Sequence, residues 1–115
     1  MSKAQEIAES GSPVPIEIVT AHRALLLELA RRYNWWEKPE QAMDFPFRII
    51  AQVMNIGVFE DIRRMAAALG DECLRYVIGH AEAGQFNPRS WHYWHYRLGL
   101  AKADQVPPLP IKRVP

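Results

Sequence analysis

The sequence predicts an all-α protein: a compact bundle of about five short helices, between an N-terminal leader and an extended, proline-rich tail. Apolar residues recur at helical spacing in one stretch after another, each closed by a Gly, Pro or Asn. No strand carries a hairpin signal, and no repeat of solenoid period is present. The 115 residues supply one core but not two. The organising stretch is Phe45 to Gly57, in which Phe47, Ile49, Ile50, Ala51, Val53, Met54 and Ile56 cover nearly the whole helix surface. Only a narrow polar line remains at Arg48, Gln52 and Asn55. A helix apolar almost all round belongs in the middle of a fold.

In chain order, residues 1–13 are polar, end in turn formers and read as a mobile leader. Residues 14–19 follow Pro13 and contain Pro15, so they read as an extended lead-in. Thr20 is expected to cap a helix to about Tyr33, with His22, Leu25, Leu26, Leu29 and Tyr33 on one side. Asn34, Trp35 and Trp36 break it, and residues 39–43 make a single turn. Pro46 suits the first position of the central helix, and Gly57 a left-handed residue past its end. The next helix runs from Phe59 to Leu69. Its expected inner face is Phe59, Ile62, Ala66 and Leu69, with Glu60, Asp61, Arg63 and Arg64 outward. Glu60 and Arg64 are spaced for an ion pair of about 0.3 kcal/mol. Gly70 ends that helix, Asp71 caps another to about Ala83, and Gly84 closes it. Asn87 and Pro88 start the last helix, which Gly99 stops. These boundaries give a leader over 1–13, one helical domain over 14–100, and a tail over 101–115 with four prolines from residue 106 onward.

Charge and cysteine content exclude several classes. A net charge of +1 creates no global field for nucleic acid or an anionic membrane. One cysteine, Cys73, forms no internal disulfide and leaves the reducing cytoplasm as the simplest address. No apolar run reaches the length of a membrane span. His92 and His95 stand three apart, but Cys73 and His80 are the only other obvious donors, short of a zinc motif. No activated nucleophile, acid–base carboxylate pair or phosphate-binding glycine loop stands out, so no catalytic residue, metal or cofactor is assigned.

The 88–98 helix is the most unusual element. Trp91, Trp94, His95 and Leu98 share one face, which reads as core closing over the central helix. His92, Tyr93, Tyr96 and Arg97 lie round the other sides. Tyr, Trp and Arg dominate interface anchors, so that side reads as a protein-binding surface. The Arg48–Gln52–Asn55 line has two readings: satisfying neighbouring groups, with Arg48 paired to Asp44 or Asp61, or lining a groove for a partner. A helix-turn-helix reading of residues 66–76 is weakened by Asp71 and Glu72 at the head of the recognition helix, and by Arg75 as its one fixed cation.

Ile50-Ala-Gln-Val-Met54 with Gly57, Phe59-Glu-Asp-Ile-Arg63, and Arg89-Ser-Trp-His-Tyr-Trp-His-Tyr-Arg-Leu-Gly99 together resemble a family of small prokaryotic proteins. Their genes often lie beside abortive-infection (AbiEii-type) nucleotidyltransferase toxins. Trp35-Trp36 and Gly70 fit the same pattern. The resemblance covers residues 35 to about 100 and implies an antitoxin-like companion of the nucleotidyltransferase, with no catalytic residues to carry over.

The expectation is therefore a non-catalytic protein–protein interaction module. Trp35, Trp36, Arg48, Gln52, Arg89, His92, Tyr93, Tyr96 and Arg97 would meet a protein partner, and tail residues 106–115 would order on binding. The alternative is a helix-turn-helix-like DNA-binding, autoregulatory protein. A homodimer through the aromatic helix is also compatible with these residues.

Overall fold

The computed structural model describes residues 14–102 and 104–111; the expected leader and the last residues of the tail lie outside the described residues. Among the described residues there are seven helices and no strand, in the order α1 Pro15–Ala21, α2 Arg23–Tyr33, α3 Pro39–Ala42, α4 Pro46–Ile56, α5 Phe59–Leu69, α6 Asp71–Gly79 and α7 Pro88–Arg97. The fold is all-α as expected, with more helices than the five anticipated. None of them is long and apolar enough to cross a membrane.

The added helix is α1. Pro15 sits in its first turn, where a missing N–H costs nothing and the fixed φ already suits a helix. The Glu17 carboxylate accepts from the Val14 N–H at 3.2 Å, tying down the start. Thr20 therefore caps nothing. It lies inside α1 and donates its hydroxyl to the Ile16 carbonyl one turn back at 2.8 Å. His22 forms the joint to α2, with φ −115° and ψ 33°.

The centre is α4, as its pattern predicts. It packs against α2, α3, α5, α6 and α7. Ile49, Ile50, Ala51, Val53 and Met54 are buried, while Ile56 at its end is exposed. Gly57 does not take the expected left-handed conformation; its φ is −66° and ψ 151°. Glycine is required there for space, because a Cβ would stand 2.5 Å from the Val53 carbonyl oxygen and 2.9 Å from Val53 Cγ1. Gly70, Gly84 and Gly99 are the glycines at positive φ, and Gly70, at φ +85°, forms the one-residue joint between α5 and α6. Asp71 is the first residue of α6, where its charge and that of Glu72 suit the helix dipole. That helix stops at Gly79, short of the expected Ala83.

The end of α4 shows how the core is closed. A helix leaves its last carbonyls without partners, and α7 brings donors to two of those of α4. Trp94, with no exposed surface, donates its indole N–H to the Met54 carbonyl at 2.8 Å. Ser90 donates its hydroxyl to the Asn55 carbonyl at 2.8 Å. The Asn55 side-chain oxygen accepts from the Asn87 N–H at 2.9 Å, and Asn87 in turn caps α7 by accepting from the Ser90 N–H at 2.8 Å. Trp91 and Leu98 are buried on the same face of α7, as its pattern predicts.

On α5 the buried arc is Asp61, Met65 and Leu69, and Phe59 is 71% exposed, reversing the expectation for both Phe59 and Asp61. At about 100° per residue, Phe59 lies roughly 100° from the Met65–Leu69 direction and Asp61 only roughly 60°. Asp61 is 2% exposed and fully engaged. Its Oδ2 accepts from Arg32 and from the Tyr33 hydroxyl, each at 2.7 Å, and its Oδ1 accepts from Arg64 at 3.3 Å. The Tyr33 oxygen also accepts from the Val58 N–H at 3.0 Å, just ahead of α5. Arg64 binds both oxygens of Glu28 at 3.0 Å, and Glu60 pairs with Arg63 and not with Arg64.

Residues 105–111 form neither helix nor strand. Val106 and Leu109 pack on the core, and the Trp91 indole donates to the Pro107 carbonyl at 2.7 Å.

Trp94→Ala is expected to cost about 3–5 kcal/mol, combining a large cavity with an uncapped carbonyl. Gly57→Ala is expected to cost roughly 1–3 kcal/mol through overpacking against Val53. Urea unfolding followed by helical circular dichroism measures both.

Candidate functional site

Two shallow depressions open in succession along the polar line of α4. The first has a volume of about 400 Å³ and gathers Trp36, Phe45, Arg48, Gln52, Glu82 and Gln85. The second, about 370 Å³, lies at the carboxyl end of α4 and is lined by Asn55, Ile56, Gly57, Ile62, Arg89, Ser90 and Tyr93. Both are open to solvent.

In the first, Arg48 pairs with neither Asp44 nor Asp61. It donates to Glu82 at 3.0 Å and lies over the Phe45 ring at 4.5 Å. Gln52 donates to the Tyr33 carbonyl at 3.4 Å. Both readings of the polar line thus meet here: Gln52 and Asn55 bind neighbouring backbone, and Arg48 and Gln52 also line an open depression. Trp36 forms one wall; Trp35 meets it edge-on at 5.7 Å between ring centres and projects away, 77% exposed. The sequence reading missed Phe45 and Glu82, one beside a proline at a helix start and the other in a region read as helix.

In the second depression, Arg89 and Tyr93 are brought together beside the exposed Ile56, which Val58 and Phe59 follow, both also exposed. Arg97 is partly committed, donating to the Tyr93 hydroxyl at 3.1 Å and lying 4.9 Å from the Trp94 ring centre. His92 and Tyr96 form an edge contact at 6.2 Å on the exposed side of α7 and line neither depression. The nine predicted residues therefore fall into two clusters and an exposed aromatic ridge. Ile56, Val58 and Phe59 were missed because they were read as part of an apolar helix, a lead-in and an inner face.

The histidines at the end of α6 and on α7 and the cysteine are engaged or buried. His80, His92 and His95 each direct Nδ1 at the carbonyl four residues earlier, at 2.8–2.9 Å. Among the described residues no three metal-ligating side chains gather. Burial pushes the Cys73 thiol up, keeping it protonated. On the helix-turn-helix face, Arg75 is spent on the Leu98 carbonyl at 3.0 Å, and Asp71 and Glu72 stand exposed.

The strongest electrostatic cluster is structural. Burial works against the charge on Asp61, but the hydrogen bonds from Tyr33 and Arg32 and the nearby cations outweigh it and hold its carboxyl below the ordinary range. The Tyr33 phenol is raised, chiefly by burial.

Comparison with protein-family models, with curated proteins and with solved structures found no match.

Because the folded carboxyl of Asp61 is depressed, its contribution is complete above the unfolded range near pH 4 and fades as pH falls through the folded value. Asp61→Asn is expected to cost about 1–3 kcal/mol at neutral pH and to flatten the loss of stability on the acid side. Thermal unfolding of both proteins from pH 7 to pH 2.5 reads the difference.

Proposed function

We propose that this chain is a non-catalytic protein-binding module acting by steric contact, antitoxin-like toward a nucleotidyltransferase. The observation that carries the reading is the set of large apolar side chains left exposed on a domain whose core is otherwise closed. Trp35, Trp36, Ile56, Val58, Phe59, Tyr93 and Tyr96 all stand in solvent. A monomer gains nothing by leaving such side chains wet, and clusters of them beside arginines mark contact surfaces. Arg48 and Arg89 supply the polar contacts, one in each depression. The identity of the partner rests on the sequence resemblance alone.

The test is co-purification of the tagged chain from native lysate with nuclease present, the captured protein being identified by mass spectrometry as a nucleotidyltransferase or not. A stoichiometric complex is expected. Tyr93→Ala with Tyr96→Ala should weaken that complex at least about tenfold, the scale of an interface anchor, while the melting temperature stays within a few degrees. Recovery only through nucleic acid, abolished by salt, would favour the DNA-binding alternative. Loss of several kcal/mol of stability with binding intact would place the two tyrosines in the structure and not the surface.

A further inference from the structure

The C-terminal segment packs along a face of α7 of defined chemistry. Val106 and Leu109 are partly buried against the core, while Pro107 and Pro108 between them are exposed. A polyproline helix turns once in three residues, so side chains at i and i+3 face the same way. Val106 and Leu109 stand at that spacing, and Pro110 beside Leu109 is partly buried as well. Between the two apolar anchors, the Pro107 carbonyl accepts the Trp91 indole N–H at 2.7 Å. An indole donor on a backbone carbonyl, flanked by seats for apolar residues three apart, reads proline-rich chains. Such a ligand loses little entropy on binding because its backbone is already extended. The Phe86 ring lies 5.7 Å from the Trp91 ring and that of His95 4.4 Å from it, which fixes the indole in place.

The segment is also set up to leave. It is joined to α7 through a turn in which the Gln105 N–H donates to the Lys102 carbonyl at 3.0 Å, with Asp104 at φ +66°. Within residues 105–111, the Pro107 carbonyl is the one acceptor engaged by a side chain of the helical domain. We propose that the Trp91 face of α7 is a binding groove for proline-rich peptides, occupied in cis by residues 105–111. A partner's extended segment with apolar residues three apart competes for it. This groove lies on the other side of α7 from Tyr93, and the inference stands apart from the function proposed above.

Two measurements on the full-length chain decide it. The first compares exchange of the two indole protons. Trp94 donates to Met54 inside the core, whereas Trp91 donates to Pro107 in residues 105–111, here the strap. If the strap opens alone, the Trp91 indole proton exchanges at least about a hundredfold faster than that of Trp94. Equal, slow exchange would make the strap part of the global fold and overturn the proposal.

The second uses Val106→Ser with Leu109→Ser to free the groove, and a synthetic peptide of residues 105–111 as ligand. The variant is expected to keep its helical signal and to bind the peptide saturably, with a blue shift of tryptophan emission. A peptide carrying the same two serines should not bind. Adding Trp91→Phe should weaken binding roughly fivefold, the loss of one hydrogen bond. Unfolding of the variant, no binding at millimolar peptide, or equal binding of the serine peptide would each overturn the proposal.

Discussion

The fold depends on how the carboxyl end of α4 is satisfied. A helix that finishes against a core leaves carbonyls short of partners, and a buried one such as that of Met54 costs free energy if left alone. Here α7 answers them with side chains: the Trp94 indole on Met54 and the Ser90 hydroxyl on Asn55, with Asn87 latched to the Asn55 side chain. The same Trp94 is also the largest fully buried side chain. A single residue thus fills the core and ends the central helix, which explains why a tryptophan and not a leucine stands there. Leucine would supply the volume without the donor.

That double duty sorts the aromatic residues of α7. Those whose polar atoms have an internal acceptor face inward: Trp91 toward Pro107 and Trp94 toward Met54. Tyr93 and Tyr96 are half-exposed on the other sides of the helix, where water can reach their hydroxyls. The helix turns its indoles to internal acceptors and its phenols toward water without any change in composition along its length.

Much of this was legible in the residues. The wholly apolar circumference of α4 placed it at the centre, and Asn87 with Pro88 placed the start of α7. The inner face of α7 followed from its spacing. Other features were hidden for physical reasons. Pro15 reads equally as an extended residue or a first helical one, and the helix is favoured by the Glu17 carboxylate on the Val14 N–H and by the burial of Val19 against the core. Gly57 is demanded by a neighbour's carbonyl and not by its own dihedral angles, which no local pattern reveals. Phe59 and Asp61 exchanged places because a charge is normally placed outward. Asp61 is buried only because Arg32 and Tyr33, about thirty positions earlier in the chain, come to meet it. Of the candidate surface, the residue types were visible. Their division between two depressions depends on the path of the 82–87 loop beside α4.

The Tyr33 hydroxyl carries a consequence beyond the core. By bonding to both Asp61 and the Val58 N–H, it welds the last turn of α2 to the first turn of α5. Trp35 and Trp36 follow directly on one side of that weld, and Val58 and Phe59 stand on the other. The two exposed apolar pairs are therefore held at a set separation before anything arrives. Whatever lands on them meets two backbone segments already tied together, so that part of the ordering entropy has been spent during folding.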